Sequence, residues 1–254
     1  MEMASRTHAG LVRMRNEDAL EVDLNHGVAV LADGMGGLMA GREASTLVVR
    51  EVLAKLRQAV DQQADLRVDH ENTGESPSRL GVAYENLSEA IHAAHQEVLQ
   101  ASAAKEMKAQ MGSTVVIWVI ADGHWRAAHV GDSRLYRWHA KTLEQLSTDH
   151  SLAQRMLDSG EVEPGVDVEA HYGHVLTQGL GLRQPIEPGF HGGEIAGVGE
   201  RFLLCSDGLS DMVSPEKMSE AMMQEDLEDA ADQLLGFALD MGGKDNISLI
   251  LIEP

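Results

Sequence analysis

Four short apolar runs in this 254-residue chain end or begin at an aspartate, and that recurrence restricts its folds more than any other feature. Asp33 follows Val28 to Ala32, Asp132 follows Ala127 to Val130, Asp207 follows Phe202 to Cys205, and Asp245 precedes Asn246 to Ile252. Runs this short, bounded by turn residues, read as strands, not helices. One aspartate beside a strand is commonly a turn former. Repetition at several strand ends has a further consequence. If those ends converge, the carboxylates crowd together, which is unfavourable unless a cation neutralises them. Hard divalent ions such as Mg²⁺ or Mn²⁺ take oxygen ligands of this kind, whereas neither Cys nor His spacing suggests zinc. Asn16-Glu17-Asp18 sets two more acids in front of another short run.

The rest of the pattern alternates helix and strand signals. After the turn Asp33-Gly34-Met35-Gly36-Gly37, the residues Ala44, Leu47, Val48, Val52, Leu56, Ala59 and Val60 recur on one helical stripe. A second helix is predicted from about Leu80 to Ala104 on Ala83, Leu87, Ile91, Ala94 and Val98, with the polar stretch 61–79 as a surface connection. From Ser113 the period changes. Thr114 to Ala121 is β-branched, Asp122-Gly123 is a strong hairpin signal, and His124 to Val130 resumes a strand pattern. Arg134 to His139 follows the turn Gly131-Asp132-Ser133, which predicts a three-stranded antiparallel meander. Ser151 to Ser159 and Leu227 to Leu239 read as helices, and Arg201 to Cys205 and Asn246 to Ile252 as strands. The Gly- and Pro-punctuated stretch from Glu161 to Gly199 is irregular and long, which in a compact domain usually marks function.

Composition removes several classes. Lys plus Arg number 20 against 41 Asp plus Glu, a net charge of −21, so neither a nucleic acid nor an anionic membrane surface is an expected partner. The single cysteine, Cys205, cannot form an intrachain disulfide and reads as a small core residue, which fits a cytoplasmic protein. The longest apolar stretch, about Val115 to Ala121, is far short of the ~18 residues of a membrane span, and residues 1–10 carry no apolar signal core. The Gly-rich turn lacks the GxGxxG spacing of a dinucleotide site, and no Walker lysine accompanies it.

The ordered motifs Gly10-Leu-Val-Arg-Met-Arg-Asn-Glu-Asp-Ala19, Leu31-Ala-Asp-Gly-Met-Gly-Gly37, Met111-Gly-Ser-Thr114, His129-Val-Gly-Asp-Ser-Arg134, Leu176-Thr-Gln-Gly-Leu-Gly181, Leu204-Cys-Ser-Asp-Gly-Leu209 and Lys244-Asp-Asn246 span nearly the whole chain. Their set resembles the PP2C (PPM) family of metal-dependent serine/threonine protein phosphatases in its short bacterial form. The resemblance implies an α+β fold, an α-β-β-α sandwich of two packed antiparallel sheets flanked by helices, with residues 1–254 as one catalytic domain. It implies a binuclear Mn²⁺ or Mg²⁺ centre in which Asp33 bridges both ions, the Gly34 carbonyl binds the second, and Asp207 and Asp245 complete the first. Glu17 and Asp18 would act through bound water, and Asp132 would share a weaker third ion with Asp207. Two such ions lower the pKa of a shared water for in-line attack on phosphorus, while Arg13 would hold the phosphate. Arg15, two residues on, competes for that role. The implied partners are phosphoserine and phosphothreonine proteins and a cognate Hanks-type Ser/Thr kinase, met by a monomeric, free catalytic domain.

Two departures stand out. Eukaryotic members carry a His, the usual candidate for the general acid, where this chain has Met35; either a metal-held water supplies the proton or another His reaches in. His171-Tyr-Gly-His174 replaces a common His-Pro-x-Arg, and Gln178 a common Arg, in the region of the family's flap, here about Leu146 to Gly179. His171 and His174, like His92 and His95, are three apart, but without a third ligand they read as surface or packing residues, with the second pair on the polar side of its helix. The competing function is a non-catalytic phosphoprotein-sensing or interaction module on the same fold, against which the full acid set argues.

Overall fold

The computed structural model of the chain describes residues 1–36, 40–73, 82–104, 111–121, 123–160, 162 and 167–254. Two five-stranded antiparallel sheets stack face to face. In the first, β1 (Glu2–His8), β12 (Ile247–Glu253), β11 (Arg201–Cys205), β8 (Arg134–His139) and β9 (Thr142–Gln145) lie in that order. In the second the order is β10 (Gly189–Glu194), β7 (His124–Val130), β6 (Val115–Ala121), β3 (Val28–Ala32) and β2 (Ala19–Asp23). A small ladder pairs β4 (Gly34–Met35) with β5 (Gly112–Ser113). Helices α1 (Ala40–Thr73) and α2 (Tyr84–Ala104) cover the second sheet, and α6 (Pro215–Met222) and α7 (Leu227–Asp240) the first. Three short helices, α3 (Leu152–Ser159), α4 (Val168–Tyr172) and α5 (Asp207–Ser210), sit in connections. The α-β-β-α sandwich is as predicted.

Strand alternation builds the three apolar layers, because successive side chains point to opposite faces. In β3, Ala29 and Leu31 face the other sheet, while Val28, Val30 and Ala32 face α1 and α2. In β11, Phe202 and Leu204 face inward, while Leu203 and Cys205 pack under α6 and α7. Phe202 centres the inner layer, with its ring 5.4 Å from that of Trp118 and 4.8 Å from that of Trp125. Cys205 is fully buried and its thiol is pushed up to about 12 by that burial, so it is a core residue as expected.

Several elements depart from the sequence reading. The expected meander is broken: β8 leaves the sheet of β6 and β7 and pairs with β11 and β9. Leu135 of β8 is apolar and joins the inner layer, and the Thr114 and Ser133 hydroxyls, 2.6 Å apart, tie the crossing turn to β6's start. The β6–β7 hairpin forms with Ala121 opposite His124, but Asp122 of its turn lies outside the described residues. Helix α1 continues to Thr73, taking in part of the stretch read as a connection; its Gln, Ala, Leu, Arg and Glu content favours helix even without an apolar stripe. The remainder of that connection, and the Leu80 at which the second helix was predicted to start, lie outside the described residues.

Strands β1 and β10 and helix α6 were not legible. β1 is held by its pairing along all of β12, from Glu2 opposite Glu253 to His8 opposite Ile247, and not by an apolar pattern of its own. β10 reads Gly-Phe-His-Gly-Gly-Glu, a poor strand former by composition. It runs beside β7 so closely that a Cβ at Gly189 would collide with the His129 imidazole. His95 is also a correction: it is buried, not on the polar side of α2, and its Nδ1 accepts from the Gly181 N–H at 3.2 Å. His95 follows Ala94 on the same buried stripe.

Phe202→Ala should lower stability by roughly 3–5 kcal/mol, since it opens a cavity between two tryptophans. Urea unfolding followed by tryptophan fluorescence measures this, and a loss below about 1 kcal/mol would contradict its central place.

Candidate metal centre

The four aspartates at strand ends do converge. Asp33 follows β3 and Asp132 lies in the turn from β7 to β8, while Asp207 opens α5 after β11 and Asp245 precedes β12. Two thus come from each sheet, and all four line a cleft of about 1140 Å³ at one end of the sandwich. Arg13, Arg15, Glu17 and Gly34 line it too, whereas Asp18 lies buried beside it.

Hydroxyls and one amide hold these acids in place. The Asp33 N–H donates to Thr114 Oγ1 at 2.9 Å, and its carbonyl accepts from the Thr114 N–H at 2.8 Å and from Ser113 Oγ at 2.9 Å. Ser206 Oγ donates to Asp18 Oδ2 at 3.0 Å and accepts from the Ser248 N–H at 3.0 Å. Asn246 fixes the loop that carries Arg13 to Glu17: its Oδ1 accepts from the Glu17 N–H at 2.8 Å, and its Nδ2 donates to the carbonyls of Ala9 and Arg15 at 3.0 and 2.8 Å. Gly34 has to be glycine, because a Cβ there would run into the carbonyl oxygens of Gly41 and Glu17. The sequence motifs contained Thr114, Ser206 and Asn246, but their roles depend on contacts 81, 188 and 229 residues apart.

Burial and like charge set the electrostatics. Asp33 and Asp132 are pushed well above the carboxylate range by burial first and then by neighbouring carboxylates, with Asp18, Asp207 and Asp132 acting on Asp33. The same causes raise Asp207 to about 7, and burial raises Asp18 to about 6 against the pull of Ser248 and Ser206. Asp18 Oδ1 and Asp207 Oδ1 are buried without a hydrogen-bond partner, a costly state that a cation would relieve. The donor set is all hard oxygen, which suits Mg²⁺ or Mn²⁺. Among the described residues no three acidic, His or Cys side chains already close on one point. The fit therefore rests on the shared desolvated pocket and its orphaned oxygens, with water or substrate oxygens left to complete any coordination.

Arg13 and the flap frame the opening. Arg13 Nη2 lies 2.5 Å from Asp245 Oδ2 with the Arg13 side chain 58% exposed, and that bond is the largest cause of its raised pKa. His174, Val175, Leu176 and Met35 also line this cleft. The flap's base is tied down by Arg134, whose guanidinium engages Asp149 through Nε at 3.0 Å and Nη2 at 2.6 Å. The two histidines three apart are separated by the fold: His171 Nδ1 lies 2.7 Å from the Asp167 carbonyl at the start of its own helix, and His174 lines the cleft.

Comparison with known proteins agrees with this geometry. Residues 5–237 match the family described as Protein phosphatase 2C. The serine/threonine protein phosphatase PstP of Mycobacterium tuberculosis is 32% identical over 253 residues, spanning 100% of this chain but only 45% of PstP. Protein phosphatase PhpP of Streptococcus pneumoniae is 32% identical over 258 residues, spanning 100% of this chain and 97% of PhpP. A crystal structure of the PstP catalytic domain in complex with two manganese ions superposes with a TM-score of 0.78 at 31% identity, over 98% of this chain and 96% of that one.

The raised carboxyls make metal-free stability depend on pH. An unfolded aspartate loses its proton near 3.9, whereas Asp18 and Asp207 hold theirs to about 6 and about 7. The folded state thus binds more protons in that window, and stability falls as pH rises through it. In chelator, Asp207→Asn should gain melting temperature relative to wild type between pH 4 and 7, by on the order of 5 °C. Mn²⁺ should reverse the order at pH 7.5, because a neutral amide holds a hard cation less well than a carboxylate. Melting curves with and without Mn²⁺ at each pH test this; a pH-independent difference would contradict it.

Proposed function

Because the chain belongs to the protein phosphatase 2C family, we propose that it hydrolyses phosphoserine and phosphothreonine in proteins with the help of two divalent cations, Mn²⁺ or Mg²⁺. The observation that carries this reading is the convergence of Asp33, Asp132, Asp207 and Asp245 on one cleft, with two buried carboxylate oxygens left unpartnered. Asp33 would bridge the ions, the Gly34 carbonyl would bind one, and Asp207 and Asp245 the other. Glu17 and Asp18 would act through water, and Asp132 with Asp207 would hold a weaker third ion. When bound, the ions supply water activation for in-line attack and neutralise charge at the phosphoryl group. PstP's structure with two manganese ions supports that count.

The chain's own contribution is positioning. Asp245 engages Arg13 through Nη2, and the guanidinium N–H groups not used by that bond are left to donate to phosphoryl oxygens. Asn246 and the Leu11 N–H, which donates to the Gly243 carbonyl at 2.7 Å, hold the Arg13 loop against the segment that carries Asp245. Binding and metal ligation are thereby fixed in one frame, which is how orientation lowers a barrier. Phosphoserine proteins are made by Ser/Thr protein kinases, so a cognate kinase is the implied partner. The reading also takes residues 1–254 as one monomeric catalytic domain acting in the cytoplasm. No helix among the described residues is long and apolar enough to cross a membrane.

Three measurements test the reading. A phosphoserine peptide should be turned over with Mn²⁺ or Mg²⁺ and not in excess chelator; full turnover by metal-free protein would sink it. Asp33→Asn should reduce kcat by on the order of 10²–10³. Arg13→Ala should raise KM for the peptide about tenfold through loss of a charge-assisted contact, and Arg15→Ala much less. The reverse order would assign phosphate binding to Arg15.

A further inference from the structure

Phosphoserine and phosphothreonine leave as alkoxides, which are too basic to depart readily without a proton. Met35, on the cleft wall beside Gly34, has none to give. Among the described residues that line the cleft, His174 is the one imidazole. We infer that His174 is the general acid of the reaction, giving a ring N–H proton to the seryl or threonyl oxygen as its bond to phosphorus breaks. This rests on the phosphatase reading.

The placement of His174 is built, not incidental. Val175 donates its N–H to the Tyr172 carbonyl at 3.1 Å and accepts from the Leu152 N–H at 2.7 Å. Leu176 then bridges to Ser151, and the Thr177 N–H donates to the His150 carbonyl at 2.8 Å. The backbone is thus pinned just beyond His174, whose exposed side chain lies on the lining of the same cleft as Arg13. His171 does not share this position, because its Nδ1 is turned to the Asp167 carbonyl. The charged groups near His174 are Asp211 just after α5, with which it interacts electrostatically and on which Arg134, Asp149 and Asp245 also act, and, along the cleft lining, Arg13 and Arg15 with the acids Glu17, Asp33, Asp132 and Asp207. An imidazole is the side chain whose ordinary range lies nearest neutral pH, so it can deliver a proton and regain it within each turnover.

The step balances. Water forms the new P–O bond in line with the one that breaks. The electron pair of the broken bond stays on the seryl oxygen, which takes the imidazolium proton and leaves as the alcohol. The proton shed by the water returns to the imidazole through solvent.

The test compares His174→Gln, His171→Gln, Asp132→Ala and wild type on a phosphoserine peptide and on 4-nitrophenyl phosphate, whose leaving group hardly needs protonation. Bound Mn²⁺ and melting temperature are measured alongside, so that a folding or metal defect is seen directly. For His174→Gln, kcat should fall on the order of 10²-fold on the peptide but less than about fivefold on the aryl ester, with bound Mn²⁺ retained and the alkaline limb of the peptide pH profile removed. His171→Gln should behave as wild type. Equal slowing on both esters, no slowing on the peptide, or selectivity that appears in Asp132→Ala instead would overturn the assignment. Wild type active on both esters with an unselective His174→Gln would overturn it alone; a metal-loaded wild type inactive on both would overturn the phosphatase reading with it.

Discussion

Asp33 stands within hydrogen-bonding reach of both Asp18 and Asp207 in a desolvated cleft, with Asp132 close enough to add its charge. Four ionised carboxylates in so little water repel, and the chain relieves this only by holding protons or by binding cations. The rest of the molecule can be understood as what keeps them there. Two sheets with full apolar layers on both faces supply a frame stiff enough to resist the repulsion, since packed interiors do not deform freely. The same crowding makes folding, proton binding and metal binding one linked equilibrium.

The frame is transmitted to the site by small polar residues. Thr114 clamps the Asp33 backbone and touches Ser133, Ser206 joins Asp18 to β12, and Asn246 holds the loop that presents Arg13. Each is buried or nearly so, where a hydrogen bond left unmade costs about 1–3 kcal/mol. Loss of one would therefore shift a residue of the cleft as well as destabilise the fold. The cleft's other wall is held differently. The Arg134–Asp149 fork and backbone bonds from His150, Leu152 and Thr177 anchor the flap, while His174 and Val175 stay at its exposed rim. The hydrogen-bonded acids and the exposed His174 and Val175 thus line one cleft.

Much of this was legible in the chain. Short apolar runs ending in aspartate gave the strands, the carboxylate end of the sandwich and the hard-metal preference, because strand length, alternation and turn residues are local signals. The ordered motifs identified the family and, through it, the sandwich. Local signals fail where partners are distant. The Asp-Gly hairpin was read correctly in its strands, but nothing local says that β8 should cross to the other sheet, which is what sets Asp132 between the two. β1 and the glycine-rich β10 exist only because β12 and β7 offer them unpaired edges.

The histidines show the division most sharply. Spacing three apart made His92 with His95, and His171 with His174, look like equivalent pairs. Tertiary packing buried His95 against Gly181, turned His171 onto its own helix and left His174 at the cleft. Residue types and their order determined which chemistry this protein could perform, because ligand hardness and charge belong to the side chains themselves. The tertiary structure alone decided which of those groups share one cleft, because that convergence is set by sheet pairing across nearly the whole length of the chain.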